Sequence, residues 1–192
     1  MRVFCFGDSN TYGYDPRSYL GGRYPEHLRW VNILGDLTGW DMINCGENGR
    51  EIPRRDLEVR RFLTELEQAD ADLLIILLGG NDLLQGASPQ ETANRMNRFL
   101  DAIQKSSGFS GSILLIGPPP KKLGAWVPTQ SLVNASKTLS DLYQQVAENR
   151  NVGFLDTRNW GIELCFDGVH FTESGHRALA EGIFREFPEG SD

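Results

Sequence analysis

Short apolar runs alternate along this chain with longer amphipathic stretches. Val3 to Phe6 ends in Gly7, Met42 to Cys45 in Gly46, and Leu73 to Leu78 in Gly79-Gly80. Ile113 to Ile116 ends in Gly117 and three prolines, and Val152 to Leu155 in Asp156. Runs this short, bounded by glycine or proline, suit strands buried on both faces. Between them the spacing turns helical. Trp30, Ile33, Leu34 and Leu37 share one face. Leu57, Phe62, Leu63 and Leu66 share another, with Pro53 read as a first-turn residue. Ser88-Pro89-Gln90-Glu91 forms a capping box with proline in first position, opening a helix through Met96, Phe99, Leu100 and Ile103. Leu132 to Ala147 reads as a further helix, and Thr172-Glu173-Ser174 as the cap of the last. Ser106 to Ser112 is a loop rather than a linker. Five alternations predict an α/β three-layer fold on a parallel sheet, with residues 1–192 as one domain.

Composition narrows the class. Of 192 residues, 40% are hydrophobic and 23% charged, which excludes collagen, coiled coil and a mostly disordered chain. The net charge of -7 argues against non-specific binding to nucleic acid or anionic membrane. Arg54, Arg55, Arg60 and Arg61 cluster locally and read as the solvated face of a helix. The opening MRVFCFGDSN lacks the apolar core of ~7–15 residues that a signal peptide needs. Leu73 to Leu78 is far short of the ~18 residues that span a bilayer. The three cysteines, Cys5, Cys45 and Cys165, are odd in number and read as reduced thiols of a cytoplasmic protein. No Cys-x-x-Cys or His-x-x-x-His spacing occurs, so neither metal nor other cofactor is expected.

In such sheets ligands bind beyond the carboxyl ends of the strands. Four segments fall there: Gly7-Asp8-Ser9-Asn10, Asn44-Cys45-Gly46-Glu47-Asn48-Gly49, Gly79-Gly80-Asn81-Asp82 and Asp167-Gly168-Val169-His170. Together they supply a hydroxyl, a flexible backbone amide, a carboxamide and an Asp/His pair, the inventory of acyl transfer. Singly, each has a plainer reading. Ser9 could cap a helix, Gly46 turn the chain, Asn81-Asp82 form a turn or helix cap, His170 be a satisfied half-buried imidazole, and Asp167 cap a loop. No Gly-x-Gly-x-x-Gly or Gly-x-x-x-x-Gly-Lys-Ser/Thr appears, which leaves a nucleotide site weak.

In this order the four blocks resemble the SGNH (GDSL-like) hydrolase family. The resemblance runs from Gly7 to His170, and it implies a flavodoxin-like sheet in order 2-1-3-4-5 and no metal. It further implies Ser9, Asp167 and His170 as catalytic residues, with Ser9, Gly46 and Asn81 as oxyanion donors. Gly80 departs from the pattern, standing where Thr or Ser is frequent. The Gly-x-Ser-x-Gly elbow of the larger α/β-hydrolases is absent, since Thr11 follows Asn10. Cys5 to Tyr14, Arg29-Trp30, Pro118-Pro119-Pro120 and His170-Phe171-Thr172-Glu173 also look like the intracellular arylesterase/acyltransferase-like subgroup. Some of its members form oligomers that narrow the site, an option for this chain.

The expected substrate is a small-molecule ester, hydrolysed or transferred to an alcohol. A carbohydrate deacetylase and a non-catalytic binding module are the alternatives. Candidate substrate contacts are Asp8, Tyr12, Trp126 and Val169. Tyr12 and Tyr14 either line the acyl pocket or pack under the first helix. Trp126, in the Pro118 to Pro128 loop, reads as a pocket lid, a subunit contact or core. Cys45 reads as a small packed side chain, and His27 and His176 as structural or exposed. The loops after the strands are mostly short, which predicts a shallow cleft and a preference for acetyl to butyryl esters.

Overall fold

The computed structural model describes residues 1–18 and 20–186. The strands are β1 (Arg2–Gly7), β2 (Asp41–Gly46), β3 (Leu73–Leu77), β4 (Ser112–Gly117) and β5 (Gly153–Asp156). The helices are α1 (Ser9–Tyr12), α2 (Trp30–Thr38), α3 (Asp56–Ala69), α4 (Gly80–Leu84), α5 (Pro89–Gln104), α6 (Gln130–Arg150) and α7 (Glu173–Glu186). All four strand pairs are parallel, in the order β2-β1-β3-β4-β5. This is the order that the family resemblance implies.

Alternation along the strands builds two cores. Val3 and Cys5 of β1, with Leu73, Ile75 and Leu77 of β3, face Trp30, Leu34, Leu179 and Ile183 of α2 and α7. Phe4, Phe6, Leu74 and Ile76 face the other way, onto α3, α5 and α6 through Phe62, Met96, Phe99, Leu139 and Tyr143. Because successive side chains point to opposite faces, a strand buried on both sides must be apolar throughout. That is why the runs are unbroken.

The caps hold where they were read. Ser88 Oγ accepts from Glu91 N–H at 3.2 Å, and Glu91 Oε2 accepts from Ser88 N–H at 3.1 Å. Thr172 Oγ1 accepts from Gly175 N–H at 3.0 Å at the start of α7. One helix start differs. Pro53 lies outside α3, whose cap is Arg55. Leu57 lies inside α3 but on the face opposite Phe62 and Leu66, five and nine residues away, and is 74% exposed. The four arginines of the cluster are exposed, but only Arg60 and Arg61 lie on the helix, since Arg54 and Arg55 precede it; Arg54 pairs with Glu51 at 3.0 Å and Arg61 with Glu65 at 2.9 Å.

Register places the chemistry. Gly7 of β1 lies level with Gly46 of β2 and Leu77 of β3. The first three candidate segments therefore leave the sheet side by side. The chain order reverses between β1 and β3, the switch point where such sheets bind ligands.

Candidate active site

The turn after β1 enters α1 directly. Asp8, not Ser9, caps this helix: its Oδ1 accepts from Asn10 N–H at 2.9 Å. Ser9 is the first helical residue, and its hydroxyl is left for other work. Ser9 Oγ lies 3.0 Å from His170 Nε2, and His170 Nδ1 lies 2.6 Å from Asp167 Oδ2. A carboxylate can only accept, so Nδ1 carries the proton and Nε2 turns its lone pair to the Ser9 hydroxyl. The other oxygen of Asp167 accepts from Val169 N–H at 2.9 Å and His170 N–H at 3.0 Å. Burial pushes the Asp167 carboxyl up, but the His170 ring and these two N–H groups together outweigh it and hold it below the ordinary carboxylate value. All three side chains are buried.

The tight turn needs Gly168. Its φ is +80°, and a Cβ there would sit 2.1 Å from the Lys122 carbonyl. This contact belongs to a seam between two loops. Lys122 N–H donates to Gly168 O at 3.2 Å, Ala125 N–H to Phe166 O at 3.2 Å, and Trp126 N–H to Asp167 O at 3.0 Å. The seam lays Trp126 edge-on to His170, with ring centroids 5.1 Å apart, while Tyr14 flanks the imidazole at 4.7 Å. Trp126 is 53% exposed, so it forms an open rim rather than part of the core.

Asn81 stands at the start of α4 and donates one amide hydrogen to Arg50 O at 3.0 Å. Its second amide hydrogen has no hydrogen-bond partner among the described residues. Gly46 is placed differently from its expected role. Its N–H donates to Asn44 Oδ1 at 3.0 Å, and a Cβ there would meet Tyr12 N at 2.0 Å. This glycine allows α1 to approach β2, and its amide is already engaged. Gly49, further along the same loop, has φ +77° and open space around it. Its N–H has no hydrogen-bond partner among the described residues.

Of the remaining candidates, Tyr12 lies under the Arg23 guanidinium, 4.3 Å from the ring centroid. Val169 is buried with Val127 and Val133. Asp82 is fully buried, accepting from Ile52 N–H at 3.1 Å and pairing with Arg95 at 2.8 Å. His176 is buried and accepts from Trp30 N–H, while His27 is exposed. Cys5, Cys45 and Cys165 are all free thiols.

Two positioning residues escaped the sequence reading. Asn10 joins the nucleophile turn to the histidine loop, donating to Val169 O at 3.1 Å and accepting from Phe171 N–H at 2.9 Å. Arg50 ties the ends of β1 and β2, donating to Gly7 O at 2.9 Å and also to Cys45 O. Their positions, directly after Ser9 and directly after Gly49, were the only signals. A groove of about 590 Å³ runs beside Arg50 but is bordered by Arg–Glu pairs and includes none of Ser9, Asp167 or His170. Chemistry, not size, marks the site. Among the described residues no His/Cys/Asp/Glu group could hold a metal ion, and no helix is long and apolar enough to cross a membrane.

A hydroxyl, an imidazole and a carboxylate in line at the carboxyl edge of a parallel sheet define a hydrolase that works through serine. Residues 5–178 match the model of the GDSL-like lipase/acylhydrolase family; the chain belongs to that family and is an ester hydrolase. Solved structures agree in fold. A carbohydrate acetylesterase family member from Sinorhizobium meliloti is 26% identical, with TM-score 0.84 over 97% of this chain and 96% of that one. Est24, a carbohydrate acetylesterase from the same organism, is 25% identical, with TM-score 0.81 over 97% of each chain. The native aryl esterase of M. smegmatis is 24% identical, with TM-score 0.83 over 97% of each chain. No curated protein matches the chain in sequence.

Proposed function

We propose that this protein hydrolyses small carboxylic esters with short acyl groups, using Ser9 as nucleophile, His170 as general base and acid, and Asp167 as the orienting carboxylate. The observation that carries the reading is the buried relay of 3.0 and 2.6 Å from Ser9 Oγ through His170 to Asp167. Ser9 Oγ attacks the acyl carbon as its proton passes to His170 Nε2. The C=O electron pair moves onto oxygen and returns as the C–O bond breaks, and His170 gives the proton to the departing alcohol. Water, or an alcohol acceptor, then attacks the acyl-Ser9 ester by the same path in reverse. Asp167 stabilises the imidazolium in both halves.

The oxyanion is received by Ser9 N–H and the free amide hydrogen of Asn81. Within the Gly46 loop, the unengaged N–H of Gly49 suits the third position better than that of Gly46, which Asn44 occupies. The acyl preference is supported by the open rim. Trp126, which flanks His170, is 53% exposed, so a long chain beside it stays largely in water and gains little of the ~0.8 kcal/mol available per buried methylene.

Acetylated sugars form a second reading, favoured by the two S. meliloti carbohydrate acetylesterases at 26% and 25% identity. The test is kcat/KM on p-nitrophenyl esters from C2 to C12 and on peracetylated xylose, for wild type and Ser9→Ala. We expect an optimum at C2 to C4 and a loss of roughly 10⁶ in kcat for Ser9→Ala, as for a nucleophile removed from another serine hydrolase. A folded Ser9→Ala protein that keeps its turnover would remove Ser9 from the mechanism.

A further inference from the structure

Lys121 follows the triple proline after β4, and no step above uses it. It is 7% exposed, with its backbone N–H donating to Ser136 Oγ at 2.9 Å. A buried ammonium is costly unless its charge is answered. A Cβ at position 80 would lie 3.3 Å from Lys121 Nζ and 3.5 Å from Asp8 Oδ2. Opposite charges therefore share the small space over Gly80, where the family frequently carries Thr or Ser. A side chain there would crowd the lysine ammonium, which would have to shift by a few tenths of an ångström.

Asp8 is fixed at one oxygen by its cap to Asn10 N–H, and its other oxygen faces this space. It is also the residue before Ser9. The cap that shapes the nucleophile turn thus places a buried negative charge beside the point where the acyl oxygen becomes negative. We infer that Lys121 is a positioning residue of the reaction: across Gly80 its ammonium offsets the Asp8 charge, so the cap holds Ser9 without opposing the oxyanion. This rests on Ser9 as nucleophile.

The groups facing Lys121 are Asp8, from the turn after β1, and Asp167, from the loop before α7; Asp8 in turn faces His170 and Arg50. Burial pulls the Lys121 ammonium down to about 8, against the pull of Asp8 and Asp167. The charged form is the working one, so activity falls as pH rises through that value.

The experiment compares pH profiles of kcat and KM for wild type, Lys121→Met and Lys121→Arg on p-nitrophenyl acetate. In parallel, the rate at which a fluorophosphonate labels Ser9 is followed by mass. For Lys121→Met we expect kcat to drop by roughly ten- to a hundredfold with KM within about twofold, and the alkaline limb to vanish. Lys121→Arg should restore part of kcat and move the limb above the assay range. Should Lys121→Met fail to fold, the other two proteins decide: a limb near pH 8 in both, or in neither, overturns the inference. Ser9 labelled in Lys121→Met at the wild-type rate, with an unchanged profile, sinks the role of Lys121 alone. A reagent that leaves wild-type Ser9 unlabelled sinks the nucleophile assignment instead.

Discussion

Replacing Asp167 by asparagine removes one charge and almost no volume, so its effect reads the relay itself. One oxygen of Asp167 is held by two backbone N–H groups, at 2.9 and 3.0 Å. Asparagine must place its single oxygen there. The opposite orientation would aim an NH₂ at two buried donors, and stranding each donor costs ~1–3 kcal/mol. The carboxamide NH₂ is therefore forced toward His170 Nδ1, where Asp167 Oδ2 now sits at 2.6 Å. An NH₂ can only donate, so Nδ1 must give up its proton and Nε2 must take it. His170 then presents an N–H to Ser9 and cannot accept its proton. The same tautomer error costs ~10⁴ in kcat in trypsin, the known precedent, or about 5 kcal/mol of barrier. The assay is kcat and KM on p-nitrophenyl acetate at pH 7, alongside the thermal midpoint. We expect a loss of about that size with KM little changed and the fold intact, because the two backbone contacts survive. An Asp167→Asn protein within tenfold of wild type would show that the 2.6 Å contact does not set the tautomer.

Further outcomes follow from other parts of the site and core. Asn81→Ala should lower kcat by roughly 10²–10³, as for one oxyanion donor; a change confined to KM would make Asn81 a binding residue. Trp126→Ala should alter the ratio of kcat/KM between acetyl and butyryl esters, and an unchanged profile would take the indole out of the acyl or alcohol site. Burial pushes the His176 imidazole down to about 3, helped by Arg29 and His170 and opposed by Asp15. An unfolded histidine takes up its proton near 6.5, so the folded state binds fewer protons between the two values. Stability is then lost as pH falls through that window, by up to ~1.4 kcal/mol per pH unit, and His176→Gln should flatten the slope of urea midpoint against pH. Equal slopes in the two proteins would contradict this.

The sheet was readable because β1, β3 and β4 are apolar on both faces, and unbroken runs survive any uncertainty of phase. Helices α1 and α4, of four and five residues, are too short to show a period, and only the capping residues near their starts hint at them. Leu57 shows how apolar identity alone misleads: it stands five residues before Phe62 and nine before Leu66, roughly half a turn round α3 from both, and is exposed. Ser9 follows a strand end, where register places it, whereas Asp167 and His170 lie in the loop between β5 and α7 and stood out only through the block they resemble. The amide of Gly46 could not be judged, since its engagement depends on how the Asn44 side chain turns. Asn10 and Arg50 reach Val169 and Gly7 across long sequence separations, through contacts that no local spacing encodes.

The central claim is that Ser9 forms the covalent intermediate. Its direct test is intact mass after reaction with a fluorophosphonate, followed by fragmentation of the tryptic peptide Val3–Arg17, which also holds Thr11, Tyr12 and Tyr14. A single adduct on Ser9, formed as activity disappears and absent in Ser9→Ala, is the predicted result. Inactivation with the label elsewhere, or esterase activity that persists with Ser9 fully modified, would contradict it.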